Sequence, residues 1–455
     1  MYRKNAWKNY NGEYKAIMDF AEGYKEFISF GKTERLVVIE AIKLLKFRGF
    51  VDGKTVKKIK PGDKLYFVNK NKNVAAYIVG KKPIKEGLRI LGAHIDSPRL
   101  DFKERPIYEN HEFAYGDTHY YGGIKKYQWV TIPLALHGVV CKKDGSKVEV
   151  NIGEEPTDPV VGISDLLIHL AGDQLQKTLA KGIEGEALDV TLGSIPLEKE
   201  EKEAVKCNVL KLLKEKYGFE EEDLLSAEIE VVPAGKARDF GLDRSMVAGY
   251  GHDDRCCTYT SLLALLDSKD VEYTACTILV DKEEIGSVGA TGAQSVFFEN
   301  TVAKLLSLQG SSCPLYEVRE TFENSYMLSS DVSAGFDPLY PQVSEQRNNS
   351  FLSYGLVICK YTGRGGKGGS NDANPEYYAK VRKVLDEAKV CWQNSELGKV
   401  DQGGGGTIAY ILGNYNMNVI DAGIPVLNMH APMEVISKVD LFEAYKGYLA
   451  FLNNL

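Results

Sequence analysis

Acidic and imidazole side chains stand repeatedly at the ends of apolar runs, and this pattern constrains the fold more than any other feature of the chain. The run at residues 88–93 leads into His94, and the run at residues 274–280 leads into Glu283. Such runs predict buried strands. Because the carboxyl ends of strands form the ligand crevice of an open α/β sheet, we expect these side chains to lie close together. The full set of candidates is His94, Asp96, Asp253, Asp254, Glu283, Glu284, Asp331 and His430.

Two histidines and several carboxylates at one sheet edge predict a pair of divalent metal ions with mixed nitrogen and oxygen ligands. His94 stands two residues before Asp96, and a metal-binding histidine commonly donates its second ring N–H to a carboxylate. The alternative is a satisfied core histidine beside a loop aspartate. Asp331 and His430 also follow apolar runs. Taken singly, a turn aspartate and a structural histidine are the alternatives for them.

The paired carboxylates predict a division of roles. Asp253 and Asp254 repel each other unless a cation neutralises one of them. A metal-bridging role therefore suits Asp253, while Asp254 can cap the following helix. Of Glu283 and Glu284, one can bind metal while the other acts as general base toward a metal-activated water. The alternative for the glutamates is a solvated acidic turn.

Length and composition limit the possible classes of protein. A chain of 455 residues is long enough for two or more domains, and its 44% hydrophobic and 26% charged residues are typical of soluble globular proteins. The net charge of −7 gives no attraction to nucleic acid or to an anionic membrane. No signal peptide or transmembrane run is evident, and the eight cysteines include no C-x-x-C pair. We therefore expect a cytoplasmic protein with reduced cysteines.

Strand and helix patterns alternate along most of the chain and predict an α/β fold with a doubly wound, mostly parallel sheet. Between about Leu100 and Val232 short β segments predominate, which predicts an inserted β-rich domain. We expect residues 1–99 and 236–455 to form the catalytic domain, and residues 100–235 to form an inserted dimerisation or lid domain. Helices are predicted at residues 9–31, 32–47, 164–179, 197–217, 255–266 and 291–306, and strands at residues 65–68, 74–79, 88–94 and 273–280.

Two glycine tracts, residues 363–369 and 403–406, are expected to shape loops over the site. The first matches a G-x-G-x-x-G dinucleotide fingerprint, but residues 370–375 separate it from the next helix, so a nucleotide-binding module is the weaker alternative. Lys367 is a candidate anion anchor for substrate, with a solvated lysine as the alternative. Gly404 is a candidate substrate-binding residue. A serine nucleophile has no support because no G-x-S-x-G elbow is present.

In their order along the chain, the motifs resemble those of the aspartyl aminopeptidase family of dinuclear zinc metallopeptidases, in its bacterial branch. The motifs are His94-x-Asp96-Ser-Pro-Arg, Asp253-Asp254, Asp281-x-Glu283-Glu284-x-Gly-Ser, Ser330-Asp331 and Met429-His430. The resemblance extends over nearly the whole chain. It implies a catalytic α/β domain with an inserted β-rich domain, assembled as a homo-oligomer in the form of a tetrahedral dodecamer.

The resemblance also implies a role for each residue of the set. It implies two divalent ions per subunit, zinc in the first place, with cobalt or manganese as alternatives. The implied metal ligands are His94, His430, Asp253 as the bridge, Glu284 and Asp331. The implied catalytic residues are Glu283 as general base, Asp96 as the group that orients His94, and His169, whose counterpart in relatives reaches a neighbouring active site. A cis peptide bond between Asp253 and Asp254 is implied as well. On its local pattern alone, His169 is a buried structural histidine.

Two segments depart from the family pattern and leave the preferred first residue of the substrate open. Residues 332–338 lack the histidines of acidic-selective eukaryotic relatives, and residues 402–406 form a small uncharged loop. Peptides with an acidic and with a neutral N-terminal residue are therefore both expected substrates.

The expected function is a metal-dependent aminopeptidase that releases the N-terminal residue from short peptides, without nucleic-acid or membrane partners. The alternative with the same chemistry is a carboxypeptidase or amide deacylase, in which Lys367 or Arg347 would bind a substrate carboxylate. An alternative of another class is a non-catalytic assembly or cargo protein, which the presence of Glu283 disfavours.

Overall fold

The computed structural model describes residues 4–455. These residues fall into two compact units. The first unit comprises the chain up to Asp96 together with Ala237–Met429 and Glu434–Leu455. The second unit comprises Ser97–Lys236 and the short segment His430–Met433.

The strands and α-helices are numbered in chain order. The strands are β1 (Val51–Asp52), β2 (Lys64–Asn69), β3 (Asn73–Ile78), β4 (Leu88–His94), β5 (Arg99–Asn110), β6 (Phe113–Tyr121), β7 (Leu134–Cys141), β8 (Lys147–Ile152), β9 (Val190–Gly193), β10 (Ala227–Pro233), β11 (Arg238–Phe240), β12 (Met246–Gly249), β13 (Thr274–Val280), β14 (Tyr326–Ser329), β15 (Ser333–Ala334), β16 (Leu356–Cys359), β17 (Trp392–Asn394), β18 (Asn418–Gly423), β19 (Pro425–Leu427) and β20 (Glu434–Ser437). The helices are α1 (Lys15–Phe30), α2 (Glu34–Phe47), α3 (Gly172–Gln176), α4 (Leu179–Gly182), α5 (Ala204–Tyr217), α6 (His252–Asp267), α7 (Phe297–Gln309), α8 (Pro314–Glu323), α9 (Pro375–Glu387), α10 (Ala409–Gly413) and α11 (Lys438–Asn454).

A nine-stranded sheet of the described residues forms the centre of the first unit, in the order β1-β2-β3-β13-β4-β14-β18-β16-β17. Strand β4 pairs in parallel with both β13 and β14, and β14 pairs in parallel with β18. In this register Val280 lies opposite His94, and Ser329 lies opposite Gly92. The carboxyl ends of three neighbouring strands therefore meet at one edge, as the α/β pattern predicts.

Helices cover both faces of this sheet. Successive strand residues point to opposite sides and therefore pack against different helices. On β4, Leu91 packs in one core with Leu262 of α6, whereas Ile90 packs in the other core with Leu305 of α7. This two-sided burial explains why the central strands read as continuous apolar runs. The predicted α/β class with a doubly wound, mostly parallel sheet is confirmed.

Smaller sheets complete the two units. In the first unit, β11, β12, β20, β19 and β15 form a five-stranded sheet within the described chain. In the second unit, β5–β10 form a six-stranded sheet in the order β8-β7-β10-β5-β6-β9, and every pair in it is antiparallel. The second unit is therefore rich in β structure. No helix among residues 4–455 is long and apolar enough to cross a membrane.

The helix predicted at residues 164–179 is wrong. The structure has a 3₁₀ turn at Ile168–Leu170 and two short helices, α3 and α4. The apolar side chains that suggested a helix, among them Leu166 and Leu175, are exposed and do not pack on the second unit. Because helical stability comes mostly from packing of an apolar face, the pattern alone does not produce a continuous helix here.

Three other helices begin six or seven residues later than predicted, whereas the starts of α2 and α6 differ by two and three residues. Helix α1 begins at Lys15, because Asn11 and Gly12 adopt positive φ after a 3₁₀ turn. Helix α5 begins at Ala204, seven residues later than expected. Helix α7 begins at Phe297, because the preceding residues form a turn in which the Thr291 hydroxyl donates to Asp281 (2.6 Å).

Replacement of Leu265 by alanine tests the core around α6. Leu265 is fully buried, so Leu265→Ala is expected to lower the free energy of unfolding by about 2–5 kcal/mol. Leu315→Ala is the control, because Leu315 of α8 is 76% exposed and its loss is expected to cost less than about 0.5 kcal/mol. Chemical denaturation at a fixed protein concentration measures both, and equal losses would contradict this packing.

Candidate metal centre

His94 ends strand β4 and is buried between carboxylates. Its Nδ1–H donates to the backbone carbonyl of Asp96 (3.0 Å), and its Nε2 lies 3.1 Å from Oδ1 of Asp253. Burial disfavours the charged ring, but hydrogen bonds to Asp253 and Asp96 outweigh it and hold the pKa of His94 well above its usual value. The surroundings of His94 therefore favour positive charge.

Asp96 links the end of β4 to the turn that carries the two glutamates. Its Oδ1 accepts the backbone N–H of Glu283 (3.1 Å), and its Oδ2 accepts that of Glu284 (3.2 Å). The same Oδ1 lies 3.3 Å from Nδ1 of His94. A fully buried carboxylate thus fixes the orientation of the histidine and the position of both glutamates, as the ligand-orienting role requires.

Asp253 and Asp254 are joined by a cis peptide bond, as the resemblance implies. The backbone N–H of Asp253 donates to Oε2 of Glu434 (3.1 Å). Oδ2 of Asp254 accepts the backbone N–H of His94 (3.3 Å), so this side chain bridges to β4. Burial raises the pKa of Asp254 well above its usual value.

Asp331 follows β14 at the same sheet edge. The backbone N–H of Ser330 donates to the carbonyl of Gly92 (2.6 Å), which keeps the chain beside β4 up to this point. A Cβ on Gly423 of β18 would lie 1.6 Å from the carbonyl oxygen of Asp331, so the close approach of the two segments requires glycine. Burial raises the pKa of Asp331 well above its usual value.

The structure brings four of the five predicted metal ligands into one cluster within the first unit. Ligand atoms of His94, Asp253 and Glu284 all lie within 4.8 Å of one another. A second group, His94, Asp254 and Asp331, satisfies the same limit. Imidazole and carboxylate donors at these separations suit zinc, and a divalent cation would offset the cost of burying adjacent carboxylates. The residues present therefore fit a metal centre.

Glu283 lies beside this cluster without belonging to either ligand group. It begins the 3₁₀ turn Glu283–Ile285, after Lys282 in a left-handed conformation. Its Oε2 is 3.9 Å from Nε2 of His94, and its side chain is 18% exposed. A carboxylate next to a metal centre and partly open to solvent has the position that a general base needs.

Comparison with known proteins identifies the family. Residues 27–452 match the family described as "Aminopeptidase I zinc metalloprotease (M18)". The chain belongs to the M18 family of zinc aminopeptidases. It is 56% identical over 99% of its length to "Probable M18 family aminopeptidase 1" of Clostridium acetobutylicum, 98% of which is covered, and 47% identical over 100% of both chains to the Thermotoga maritima protein of the same name. As a member of this family, it is a metal-dependent aminopeptidase and a hydrolase.

Solved structures agree with this assignment. The crystal structure of the M18 aminopeptidase from Thermotoga maritima has a TM-score of 0.97 to this M18 aminopeptidase at 46% identity, with 100% of both chains covered. The aminopeptidase I of Clostridium acetobutylicum gives a TM-score of 0.92 at 53% identity, also with 100% of both chains covered. The mApe1 dodecamer of Saccharomyces cerevisiae gives 0.76 at 20% identity over 95% of this chain and 96% of that one, which shows a shared fold.

His430 of the M18 aminopeptidase lies in the segment His430–Met433 of the second unit. Its Nδ1–H donates to the carbonyl of Gly123 (2.9 Å), and the residue has a positive φ of 66°. This bond leaves Nε2 as the nitrogen with a lone pair, the usual arrangement in metal-binding histidines. Its role as a metal ligand stays a prediction.

His169 is exposed, so the interpretation as a buried structural histidine is wrong. It lies in the 3₁₀ turn Ile168–Leu170 of the second unit, where Ile168 and Leu170 are also exposed. Its predicted role at a neighbouring active site of the M18 aminopeptidase stays a prediction.

The two glycine tracts of the M18 aminopeptidase touch each other. The backbone N–H of Gly363 donates to the carbonyl of Gly405 (2.7 Å), and Gly404 has a positive φ of 127° with Gly363 too close for a Cβ. They border a cavity of about 340 Å³ that Lys367 also lines. Lys367 Nζ lies 3.2 Å from Asp372, so this lysine is partly neutralised. Helix α9 begins only at Pro375, so the first tract does not open a helix as a dinucleotide site requires.

Several residues that support the centre had not been singled out in the sequence. The Thr258 hydroxyl donates to the carbonyl of His94 (2.9 Å), and Arg255 Nε donates to that of Ile95 (3.2 Å). Glu434 accepts the backbone N–H of Asp253. Thr258 stands four residues after Asp254, a spacing that places both on one side of a helix, and this was the one available signal. No local sequence pattern indicates that Glu434 contacts Asp253.

His252 is a buried histidine that does not act as a ligand in either group. Burial lowers its pKa to about 3, so the ring is neutral. Its Nε2–H donates to the carbonyl of Val247 (3.1 Å), and its Nδ1 accepts the hydroxyl of Tyr24 (2.5 Å). Both ring nitrogens are therefore engaged.

Replacement of Asp96 tests its orienting role. Asp96→Asn turns one acceptor oxygen into a donor that faces backbone N–H groups, and we expect zinc affinity to fall about 10- to 100-fold. The control is Asp440→Asn, since buried Asp440 likewise accepts two backbone N–H groups, from Ser353 (2.5 Å) and Gly355 (2.6 Å), away from the ligand groups. Zinc titration against a chromophoric chelator measures both, and equal affinities in the two variants would contradict the role.

Proposed function

We propose that this metal-dependent aminopeptidase releases the N-terminal residue of short peptides with Glu283 as the general base. The observation that carries the proposal is the position of the Glu283 backbone. Its N–H is held by the same Asp96 carboxylate that contacts the His94 ring, so base and metal ligand are fixed to one anchor. Geometry of this kind keeps a base within reach of a water bound beside the ligands.

We propose two zinc ions per subunit, with cobalt or manganese as substitutes. The ligands would be His94, Asp253, Glu284, Asp331 and His430. Support comes from two groups of ligand-type atoms, one formed by His94, Asp253 and Glu284 and the other by His94, Asp254 and Asp331. When bound, zinc supplies Lewis acidity that makes water a stronger nucleophile at neutral pH and polarises the peptide carbonyl.

The residues of the chain would then carry the proton transfers. Glu283 would accept a proton from the attacking water and deliver it to the departing amine. Asp96 would hold the Nδ1–H side of His94, so that Nε2 faces the centre as the neutral ligand atom. Asp254 would keep the Asp253–Asp254 segment attached to β4 through the His94 N–H.

The oligomer belongs to the same proposal. We infer a homo-oligomer, a tetrahedral dodecamer in its most complete form, in which His169 would enter a neighbouring active site. The exposure of His169 together with Leu166, Leu167, Ile168 and Leu170 supports this, because such a run is costly to leave in water. A closed assembly would admit short peptides and exclude folded proteins.

Substrate contacts and location complete the proposal. Lys367 and Gly404 would contact the substrate. Support comes from the cavity that Lys367 and Gly403 line and from the close approach of Gly404 to Gly363. The proposal includes substrates with either an acidic or a neutral N-terminal residue. The cytoplasm is the proposed compartment, and the eight free cysteines agree with it.

Glu283→Gln tests the general base. Because glutamine cannot accept the proton, kcat is expected to fall about 10²- to 10⁴-fold, while zinc content stays at the wild-type value. Glu284→Gln is the companion variant, and it is expected to lose zinc as well as activity. Steady-state kinetics measures kcat, and metal analysis of the same samples measures their zinc content. Wild-type turnover by Glu283→Gln would remove Glu283 from the mechanism.

A panel of aminoacyl-p-nitroanilides tests the reaction class. After chelation, activity toward Asp, Glu and Leu substrates is expected to disappear and to return with Zn²⁺, Co²⁺ or Mn²⁺, since the metal is required for catalysis. N-acetyl-Leu-p-nitroanilide is the control and is expected to stay intact, because an aminopeptidase needs a free α-amine. Rapid cleavage of the acetylated compound would point to the deacylase or carboxypeptidase alternative instead.

A further inference from the structure

Tyr24 and His252 form a buried pair next to Asp253 of the candidate metal centre. Tyr24 belongs to α1, and both side chains are fully buried. The Tyr24 oxygen lies 2.5 Å from Nδ1 of His252, and the two rings stack with centroids 5.6 Å apart. On the other side of the ring, Nε2 lies 3.1 Å from the carbonyl of Val247 in β12. The His252 ring is therefore held from two different elements.

His252 directly precedes Asp253, the residue proposed to bridge the ions. Asp253 has non-helical backbone angles (φ −80°, ψ 106°) although it lies within α6, so the helix itself does not determine its direction. Contacts of Asp253 itself and of its two neighbours help to fix this segment. Glu434 holds the Asp253 N–H, Asp254 holds the His94 N–H, and Tyr24 with Val247 holds the His252 ring.

We infer that Tyr24 and His252 are positioning residues of the metal centre, which act by fixing the backbone that presents Asp253. The inference rests on the proposed role of Asp253 as a metal ligand. The pair's hydrogen bonds join the two side chains to each other and His252 to Val247, and among the described residues His252 belongs to neither ligand group. Through this pair, the first helix of the chain determines how well the centre binds metal.

Burying the polar atoms of these two side chains costs more free energy than burying an apolar pair would. Two polar rings in a fully buried position have to satisfy every donor and acceptor, whereas a pair of apolar side chains would fill the same space without that requirement. The Tyr24 ring also packs in the hydrophobic core of the first unit, with the ring of Tyr259 at 5.5 Å. The phenol oxygen is thus the part of Tyr24 whose function packing does not explain.

Tyr24→Phe, which removes only that oxygen, is the decisive variant. Tyr77→Phe is the matched control, because buried Tyr77 also makes one side-chain hydrogen bond, to Thr301 (2.6 Å), in the same unit but away from the ligand groups. His252→Gln serves as a second variant on the other member of the pair. The measurements on the full-length protein are the zinc dissociation constant, the absorption spectrum of the Co²⁺ form, and the melting temperature of the chelated protein.

We expect Tyr24→Phe and His252→Gln to weaken zinc binding about 10-fold and to change the Co²⁺ absorption bands, whereas Tyr77→Phe keeps both wild-type values. The inference is overturned if Tyr24→Phe and Tyr77→Phe lower the melting temperature alike and share the wild-type zinc affinity and Co²⁺ spectrum. A wild-type protein that binds no zinc at all would instead overturn the proposed metal centre, and the inference with it.

Discussion

The carboxylate of Asp96 is the contact on which the rest of the site depends. One oxygen holds Glu283 and approaches the His94 ring, and the other holds Glu284. A single side chain thereby fixes His94, the proposed metal ligand, relative to Glu283, the proposed base. Burial strengthens these bonds, because water cannot compete for a fully buried acceptor.

The sheet explains why such an anchor is available. Parallel pairing of β13, β4 and β14 ends three strands at one edge. His94 is the last residue of β4, and the loops after β13 and β14 carry Glu283 and Asp331 to the same edge. Glycines permit the remaining close approaches, as at Gly423 beside Asp331. The order of the strands therefore brings these segments together. The side chains at their ends then supply the imidazole and carboxylate groups of the cluster.

Much of this arrangement could be predicted from the sequence, and the failures have physical reasons. Strand β4 was predicted with its observed bounds, because a strand buried on both faces has an unmistakable apolar run. Helix 164–179 was wrong, because its apolar spacing had no partner to pack against in the second unit. Glu434 and Tyr24 could not be found, because their partners lie 181 and 228 residues away in sequence.

These separations also affect how the protein is made. His94 and Asp253 are 159 residues apart, and Asp96 is 187 residues from Glu283. A growing chain on the ribosome therefore does not contain both His94 and Glu283, the proposed ligand and base, until residues 97–236 of the second unit have been synthesised. We therefore expect stable metal binding to follow the long-range pairing of these segments, so that zinc stabilises the completed fold.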